Sequence, residues 1–211
     1  MSLNIGFNFF IKAIPRNYNN NIVLTFDDGP HPENTLKVLN ILDHHQVKAI
    51  FFMIGKNVIA YPNIAKEVIS RGHQVGIHSY NHQVNFGFLS QIKLQLEITK
   101  CQTAIQEATG VKTNLFRPPF GVTNPLISRL TELYNLVTIG WSLRSFDTKF
   151  TSVEGLVKRV VSRVKAGNIV LLHDRLSNTC DALPEIINGI NGMGFAFGSL
   201  RLPSDSIKDK K

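Results

Sequence analysis

Segments typical of β-strands alternate with segments typical of α-helices about seven times along the chain, and this alternation is the strongest constraint on its fold. Apolar, β-rich runs predict strands at residues 21–26, 47–54, 74–78, 114–116, 136–141, 168–172 and 194–200. Helical periodicity, caps and breakers predict helices at residues 33–46, 63–71, 90–110, 124–134, 152–166 and 182–191. The pattern predicts parallel β–α units in an α/β domain. Seven or eight such units can close a barrel, and a doubly wound open sheet is the competing architecture.

The chain length of 211 residues fits one domain. We place this domain at residues 21–200, with an N-terminal lead-in segment at 1–20 and a basic C-terminal tail at 201–211. No apolar run is long enough to cross a bilayer, so we expect no transmembrane segment. The first residues contain no basic leader and no clear small-residue cleavage site, so we expect no standard signal peptide, and the localisation stays open.

The formal net charge of the chain is +8. A positive charge of this size favours solubility, and it also favours attraction to an anionic polymer or envelope surface. The sequence contains no recognised nucleic-acid-binding motif and no dense array of basic and aromatic residues. We therefore expect no nucleic-acid partner.

Charged or imidazole side chains follow five of the predicted strands, at the point where each strand ends. These residues are Asp27, Asp28, His78, Arg117, Asp147, His173 and Asp174. In α/β barrels the carboxyl ends of the strands form the active-site face. One polar residue after one strand carries little information, but five strands that deliver such groups to one rim predict a catalytic site.

His78 and His82 are four residues apart in the sequence HSYNH. This spacing brings two imidazoles to one side of a helical turn or tight loop. Together with a strand-end carboxylate they make a three-ligand set that suits catalytic zinc and also suits Fe(II). Cys101 and Cys180 lie far apart with no CxxC spacing, which argues against a zinc–thiolate site.

Five short motifs resemble those of the polysaccharide deacetylases of the NodB-homology group, carbohydrate esterase family 4. In chain order they are TFDDGP, HSYNH, RPPFG, SFDT and LLH. The similarity extends from about residue 22 to residue 200. The resemblance implies a single domain with a distorted (β/α)7–8 barrel, in agreement with the strand count. It also implies a hydrolase that removes N-acetyl groups from chitin-like or peptidoglycan amino-sugar polymers or oligomers.

The resemblance further implies which residues bind metal and activate water. It assigns Asp28, His78 and His82 to a divalent metal ion, typically zinc in this family. It assigns Asp27 to the general base and Arg117 to the group that orients Asp27 and tunes its charge.

The remaining motif residues are implied to act on the leaving group and the substrate. His173 is assigned to the general acid, with Asp147 as its partner. The backbone N–H of Phe120 is assigned to the oxyanion, and Leu171 to the pocket for the acetyl methyl group. The predicted substrate-binding set is completed by Pro118 and Trp141, although Trp141 also fits the core at a strand end.

Three positions depart from the common family pattern. Phe120 stands where the family often has Tyr, Thr148 stands where it often has Trp, and Arg144 stands where many relatives have an acid. We expect these changes to affect substrate recognition more than the reaction itself.

The expected partner is an acetylated polysaccharide or oligosaccharide, which favours an extracytoplasmic or cell-envelope location. Removal of O-acetyl groups, as from xylan, is an alternative, and so is an inactive carbohydrate-binding relative. A glycosidase is disfavoured, because such enzymes need two carboxyl groups on either side of a bond, whereas Asp27 and Asp28 are adjacent.

Overall fold

A single seven-stranded sheet forms the centre of the computed structural model, which describes residues 13–150 and 152–200. All neighbouring strands in it are parallel. The strands are β1 (Val23–Asp27), β2 (Ala49–Met53), β3 (Gln74–Ile77), β4 (Leu115–Phe116), β5 (Val137–Thr138), β6 (Leu143–Arg144) and β7 (Ile169–His173). Their order across the sheet is β5-β4-β3-β2-β1-β7-β6.

Within the same residues, seven α-helices connect the strands. They are α1 (Asn34–His44), α2 (Gly55–Ala60), α3 (Pro62–Ser70), α4 (Gln91–Thr109), α5 (Pro125–Leu133), α6 (Val153–Val161) and α7 (Ser177–Gly192). Two short 3-10 segments, Phe86–Phe88 and Pro119–Gly121, lie in the loops. None of the helices in the described part of the chain is long and apolar enough to span a membrane.

The sheet curls into a distorted half-barrel, with β5 and β6 at its two edges. A short segment near the N-terminus crosses the gap between these edges. Ile14 pairs with Ile139 just beyond β5, and Arg16 pairs with Asn168 just before β7. The prediction of a distorted barrel of β/α units in a single domain is therefore confirmed, with seven strands.

Side chains along β1 alternate between the two faces of the sheet, as the period of an extended strand requires. Leu24 and Phe26 pack in the large cluster between sheet and helices, whereas Val23 packs in a smaller cluster on the other face. Thr25 and Asp27 have the same parity as Val23, so they lie inside the half-barrel. This alternation places the last residue of β1 at the mouth of the half-barrel.

Two predicted helix ends are confirmed by local hydrogen bonds and backbone angles. The side chain of Asn124 accepts the backbone N–H of Ile127 at 2.8 Å and caps α5. Gly110 follows α4 with φ +75°, the left-handed conformation that glycine adopts without steric strain.

Other sequence predictions of secondary structure were wrong. Residues 194–200 do not form a strand, since they contribute only an isolated bridge between Phe197 and Ile22. The predicted helix at 152–166 ends at Val161, and the short α2 and β6 were not predicted. The predicted tail at 201–211 lies outside the described residues. The boundary of the lead-in segment at residue 20 stays a prediction.

Gly76 gives a test of how tightly the sheet is packed. A Cβ atom at this position would lie 2.5 Å from the ring of Phe52 and 3.2 Å from the carbonyl oxygen of Leu115. We expect Gly76→Ala to lower the free energy of unfolding by about 1–3 kcal/mol in urea denaturation, because overpacking forces neighbours to move. The control is Gly192→Ala at the end of α7, where a Cβ meets nothing within 4 Å. Equal free energies of unfolding for the two variants would contradict the close packing around Gly76.

Candidate active site

The carboxyl ends of the strands open into a pocket of about 560 Å³. Eight residues that the sequence predicted for the site line it: Asp27, Asp28, His78, His82, Phe120, Trp141, Leu171 and His173. Two more predicted residues, Arg117 and Asp147, are buried behind this wall, with 0% and 2% of their surface exposed. The structure thus brings together groups that are up to 146 positions apart in the chain.

The backbone turns sharply between the two adjacent acids. Asp27 ends β1, and Asp28 has φ +76°, in the left-handed region. The amide of Asn57 donates to the carbonyl oxygen of Asp28 at 2.9 Å and holds this turn. The two carboxylates consequently have different neighbours, although both are buried.

Asp28, His78 and His82 form a candidate metal site. Their ligand atoms all lie within 4.8 Å of one another. Oδ1 of Asp28 lies 3.3 Å from Nε2 of His82 and 3.6 Å from Nε2 of His78. Ligands at 2.0–2.1 Å from a tetrahedral ion lie about 3.3 Å apart, so these spacings need little adjustment to hold one.

The hydrogen bonds of Asp28 leave one carboxylate oxygen for a cation. Oδ1 is buried and accepts no hydrogen bond from the described residues. Oδ2 accepts from Nε of Arg175 at 2.9 Å. Since buried polar atoms in native proteins normally have partners, an unpaired carboxylate oxygen facing two imidazole nitrogens fits a divalent metal.

His78 is oriented by the backbone of the neighbouring strand. Its Nδ1 lies 2.7 Å from the carbonyl oxygen of Arg117. A carbonyl oxygen only accepts hydrogen bonds, so Nδ1 carries the proton and, in the neutral ring, the lone pair is on Nε2. That lone pair faces the candidate metal site.

The loop that carries His82 is held by Glu97 of α4. The carboxylate of Glu97 accepts the backbone N–H groups of Tyr80 and Asn81 at 3.0 and 2.8 Å, and the Asn81 amide at 2.6 Å. The backbone N–H of His82 donates to Oγ of Ser79 at 3.0 Å. Glu97 was not predicted from the sequence, although it lies next to the apolar stripe of a long helix, where a buried acid indicates a specific partner.

Arg117 pairs with Asp27 deep in the half-barrel. Its Nη1 donates to Oδ1 of Asp27 at 2.7 Å and to Oγ1 of Thr25 at 2.8 Å. Its Nη2 and Nε donate to the carbonyl oxygens of Gly140 and Ile139 at 2.7 and 3.0 Å. Burial lowers the pKa of Arg117, and the charge of Asp27 opposes that change. Asp27, Thr25 and two backbone carbonyl groups therefore accept four hydrogen bonds from this guanidinium.

His173 and Asp147 form a second pair on the opposite side of the pocket. Nδ1 of His173 lies 2.8 Å from Oδ1 of Asp147, while Oδ2 accepts the backbone N–H of His173 and the hydroxyl of Thr179. Burial works against a charge on His173, but the hydrogen bond and charge of Asp147 outweigh it and raise the pKa of the imidazole. The free Nε2 faces the pocket, 4.0 Å from Oδ2 of Asp28.

Arg175 also lines the pocket, although it was not predicted from the sequence. Arg175 follows the last residue of the LLH motif by two positions, and this position indicates a positive charge near the end of the strand. Burial opposes the charge of Asp28, yet the nearby His78 and His173 and the hydrogen bond from Arg175 lower the pKa of this carboxyl.

Strained backbone is concentrated around this pocket. Eight described residues other than glycine have positive φ, and five of them belong to the site loops. These five are Asp28, Ser79, His82, Phe120 and Phe146. Such conformations cost free energy and are retained where they place functional groups.

Three of the four predicted substrate-binding residues line the pocket, and the fourth does not. Leu171 on β7 is buried against the pocket, Trp141 is half-buried at its wall, and Phe120 is 55% exposed with its ring 4.7 Å from that of His82. Pro118 is buried and does not line the pocket. Its carbonyl oxygen accepts the N–H of Gly121 at 3.0 Å, so the geometry supports a role in the turn rather than direct substrate contact.

A further buried acid, Asp174, lies beneath the turn of β1. Its Oδ2 accepts the hydroxyl of Thr35 at 2.5 Å, and its Oδ1 has no partner among the described residues. A side chain at Gly29 would overlap with this carboxyl group. Burial raises the pKa of Asp174 to about 7.

The raised pKa makes stability depend on pH with a defined sign. In the unfolded chain Asp174 ionises near pH 3.8, whereas in the folded protein it keeps its proton to about pH 7. Between these values the unfolded state binds fewer protons, so rising pH destabilises the fold. We expect Asp174→Asn to gain about 4 kcal/mol relative to the parent as the pH rises from about 4 to about 7, measured by urea denaturation with EDTA present. The exposed Asp181→Asn is the control, and identical pH profiles of parent and Asp174→Asn would contradict the prediction.

A comparison with protein-family models matches residues 16–139, more than half of the chain, to the family described as polysaccharide deacetylase. The chain is 35% identical over 179 residues to the peptidoglycan-N-acetylglucosamine deacetylase PgdA of Listeria monocytogenes. The match covers 85% of this chain but only 38% of that relative, so the chain spans less than half its length.

Two solved structures show how far the similarity extends in three dimensions. The Bc1960 peptidoglycan N-acetylglucosamine deacetylase, solved with 4-naphthalen-1-yl-N-oxidanyl-benzamide, superposes with a TM-score of 0.84 at 31% identity over 90% of each chain. A family 4 pseudoenzyme from Bacillus anthracis superposes with a TM-score of 0.82 at 30% identity, over 88% of this chain and 66% of that one. The match to the family model, together with these relatives, shows that this chain belongs to the polysaccharide deacetylase family.

Proposed function

We propose that the protein is a metal-dependent hydrolase that removes N-acetyl groups from amino-sugar polymers or oligomers of the chitin or peptidoglycan type. The observation that carries the proposal is the separation of two adjacent carboxylates. Oδ1 of Asp28 is buried without a hydrogen bond near two imidazoles, whereas Asp27 is held by Arg117. Family membership and the names of the relatives support the same activity.

We further propose that the metal is zinc, held by Asp28, His78 and His82. Two imidazoles and one carboxylate are a catalytic zinc set that leaves positions for water and substrate. When bound, such an ion polarises the substrate carbonyl and lowers the pKa of water towards neutrality. The hydrogen bonds of Asp28 to Arg175 and of His78 to the Arg117 carbonyl hold two of the ligands in place.

In the proposed reaction Asp27 is the general base that takes a proton from the attacking water. Arg117 keeps one carboxylate oxygen of Asp27 occupied, and the other faces the pocket, 3.8 Å from Nε2 of His78. The hydrogen bond from Arg117 fixes the orientation of this carboxylate towards the pocket.

His173 is the proposed general acid. Its Nε2 faces the pocket, and Asp147 favours the protonated imidazolium near neutral pH. It donates that proton to the departing sugar nitrogen, which leaves as a neutral amine. The acid and the base are thus different groups, and each has its own partner, Asp147 for His173 and Arg117 for Asp27.

The proposed substrate contacts come from the walls of the pocket. Leu171 packs against the acetyl methyl group, the backbone N–H of Phe120 donates to the oxyanion, and Trp141 lines the sugar site. The left-handed backbone of Phe120 supports a fixed orientation for that donor.

An O-acetyl esterase would use the same groups, but one observation favours the amide. A departing amine must be protonated, whereas an alkoxide is a better leaving group and depends less on an acid. The His173–Asp147 pair is a built proton donor. The alternative of an inactive relative is disfavoured because Asp27, Arg117 and the three candidate ligands are all present.

Two matched variants separate the roles of the adjacent acids. We expect Asp28→Asn to weaken zinc binding about 100-fold or more in calorimetry, because it removes a charged ligand. We expect Asp27→Asn to keep the zinc affinity within a few-fold and to lower kcat about 10²–10⁴-fold. Loss of zinc in the Asp27 variant, or retention in the Asp28 variant, would reverse the assignment.

Acetate release tests the activity itself. The zinc-loaded protein is incubated with chitin oligosaccharides, peptidoglycan and acetylated xylan, and acetate is measured enzymatically. We expect faster release from the two N-acetylated substrates than from xylan. No acetate from any of them would overturn the proposed function, and faster release from xylan would favour the esterase.

A further inference from the structure

A second pocket, of about 620 Å³, lies beside the candidate active site. Five cationic side chains line it, and the described residues contribute no acid to its wall. The cations are Arg16, Arg144, Arg159, Arg163 and Lys165. None of them forms an ion pair with a described Asp or Glu. We call this feature the basic pocket.

The ring of Phe146 lines the basic pocket and lies close to two of its guanidinium groups. The guanidinium carbons of Arg144 and Arg159 each lie 4.9 Å from the centroid of that ring. Nη2 of Arg159 donates to the carbonyl oxygen of Arg144 at 3.2 Å, but Nε of Arg159 is buried with no hydrogen-bond partner among the described residues. Burial and the positive charge of Arg163 lower the pKa of Arg159. The cluster thus holds like charges together and leaves a buried donor unused.

These features indicate an anionic ligand. An anion would relieve the repulsion between the positive charges of Arg159 and Arg163. Guanidinium groups bind carboxylates and phosphates through paired hydrogen bonds. A pocket of this volume accommodates a substituent of a sugar or a peptide rather than a single small ion.

The basic pocket adjoins the active site. Trp141 and Arg144 line both pockets. Phe146 directly precedes Asp147, so one loop contributes to the basic pocket and also holds the partner of His173. A ligand in the basic pocket therefore lies next to a sugar in the active site and can belong to the same molecule.

We propose that the basic pocket binds an anionic substituent, carboxylate or phosphate, of the acetylated polymer that the active site deacetylates. The proposal rests on the proposed function for the identity of that polymer. It makes the enzyme selective for anionic acetylated polymers over neutral ones, and it gives a purpose to Arg144, which lines both pockets.

The test compares the double variant Arg163→Gln/Lys165→Gln with the double variant Lys112→Gln/Arg129→Gln. All four side chains are exposed, and each pair removes the same charge. The substrates are a peptidoglycan oligosaccharide with free carboxylates, the same oligosaccharide as its methyl esters, and chitin oligosaccharides with and without phosphate groups.

The measured quantity is kcat/KM for the anionic substrate divided by kcat/KM for its neutral form. We expect Arg163→Gln/Lys165→Gln to lower this quotient about tenfold, because KM for the anionic substrate rises. We expect Lys112→Gln/Arg129→Gln to leave it unchanged. A change with the carboxylated pair alone, or with the phosphorylated pair alone, identifies the anion. An unchanged ratio for both pairs, or an equal change in the control variant, would overturn the proposal.

Binding to the zinc-loaded Asp27→Asn protein separates this proposal from the proposed function. Calorimetry measures the affinity for the carboxylated oligosaccharide and for its methyl esters, without turnover. We expect the carboxylated form to bind about tenfold more tightly than its methyl esters. We expect this difference in affinity to disappear when Arg163→Gln and Lys165→Gln are added to the Asp27→Asn protein. If no substrate yields acetate, the proposed function is wrong. If the two forms bind with equal affinity, the proposal that the basic pocket binds an anionic substituent is wrong.

Discussion

The buried guanidinium of Arg117 is the group on which the candidate site depends. It lies at the end of β4 and donates to Asp27, Thr25 and the carbonyl oxygen of Gly140. Its own carbonyl oxygen orients His78. A buried charge is tolerated only when it is paired and hydrogen-bonded, so this contact network fixes the relative positions of several strand ends. The same residue thereby holds the proposed base in a fixed orientation and one proposed metal ligand in the required tautomer.

The sequence predicted the inner part of the fold better than its edges. Long apolar runs such as that of β1 are buried on both faces, so their composition identifies them without tertiary information. β6 has two residues and directly follows a segment that looked like one continuous strand. The segment at 194–200 has a strand-like composition, but Phe195 and Phe197 pack against the core without a ladder of hydrogen bonds. Whether such segments form strands depends on tertiary contacts, which the local sequence does not show.

The candidate site was predictable where a residue type and a strand end coincide. The positions of Asp28 and His78 follow from that rule, and the structure brings both into one candidate metal site. Arg175 and Glu97 were missed because their importance depends on partners far away in the chain. The left-handed backbone of Phe120 was also hidden, since a bulky residue gives no sequence signal for positive φ.

The central claim is that two adjacent carboxylates have different partners, a metal for Asp28 and Arg117 for Asp27. Anomalous X-ray diffraction at the zinc edge, from crystals grown with zinc, tests it most directly. The account predicts one peak about 2.0–2.2 Å from Oδ1 of Asp28 and from Nε2 of His78 and His82, with the Asp27–Arg117 hydrogen bond intact. A peak coordinated by Asp27 in place of Asp28, or no peak between the two histidines, would contradict the account.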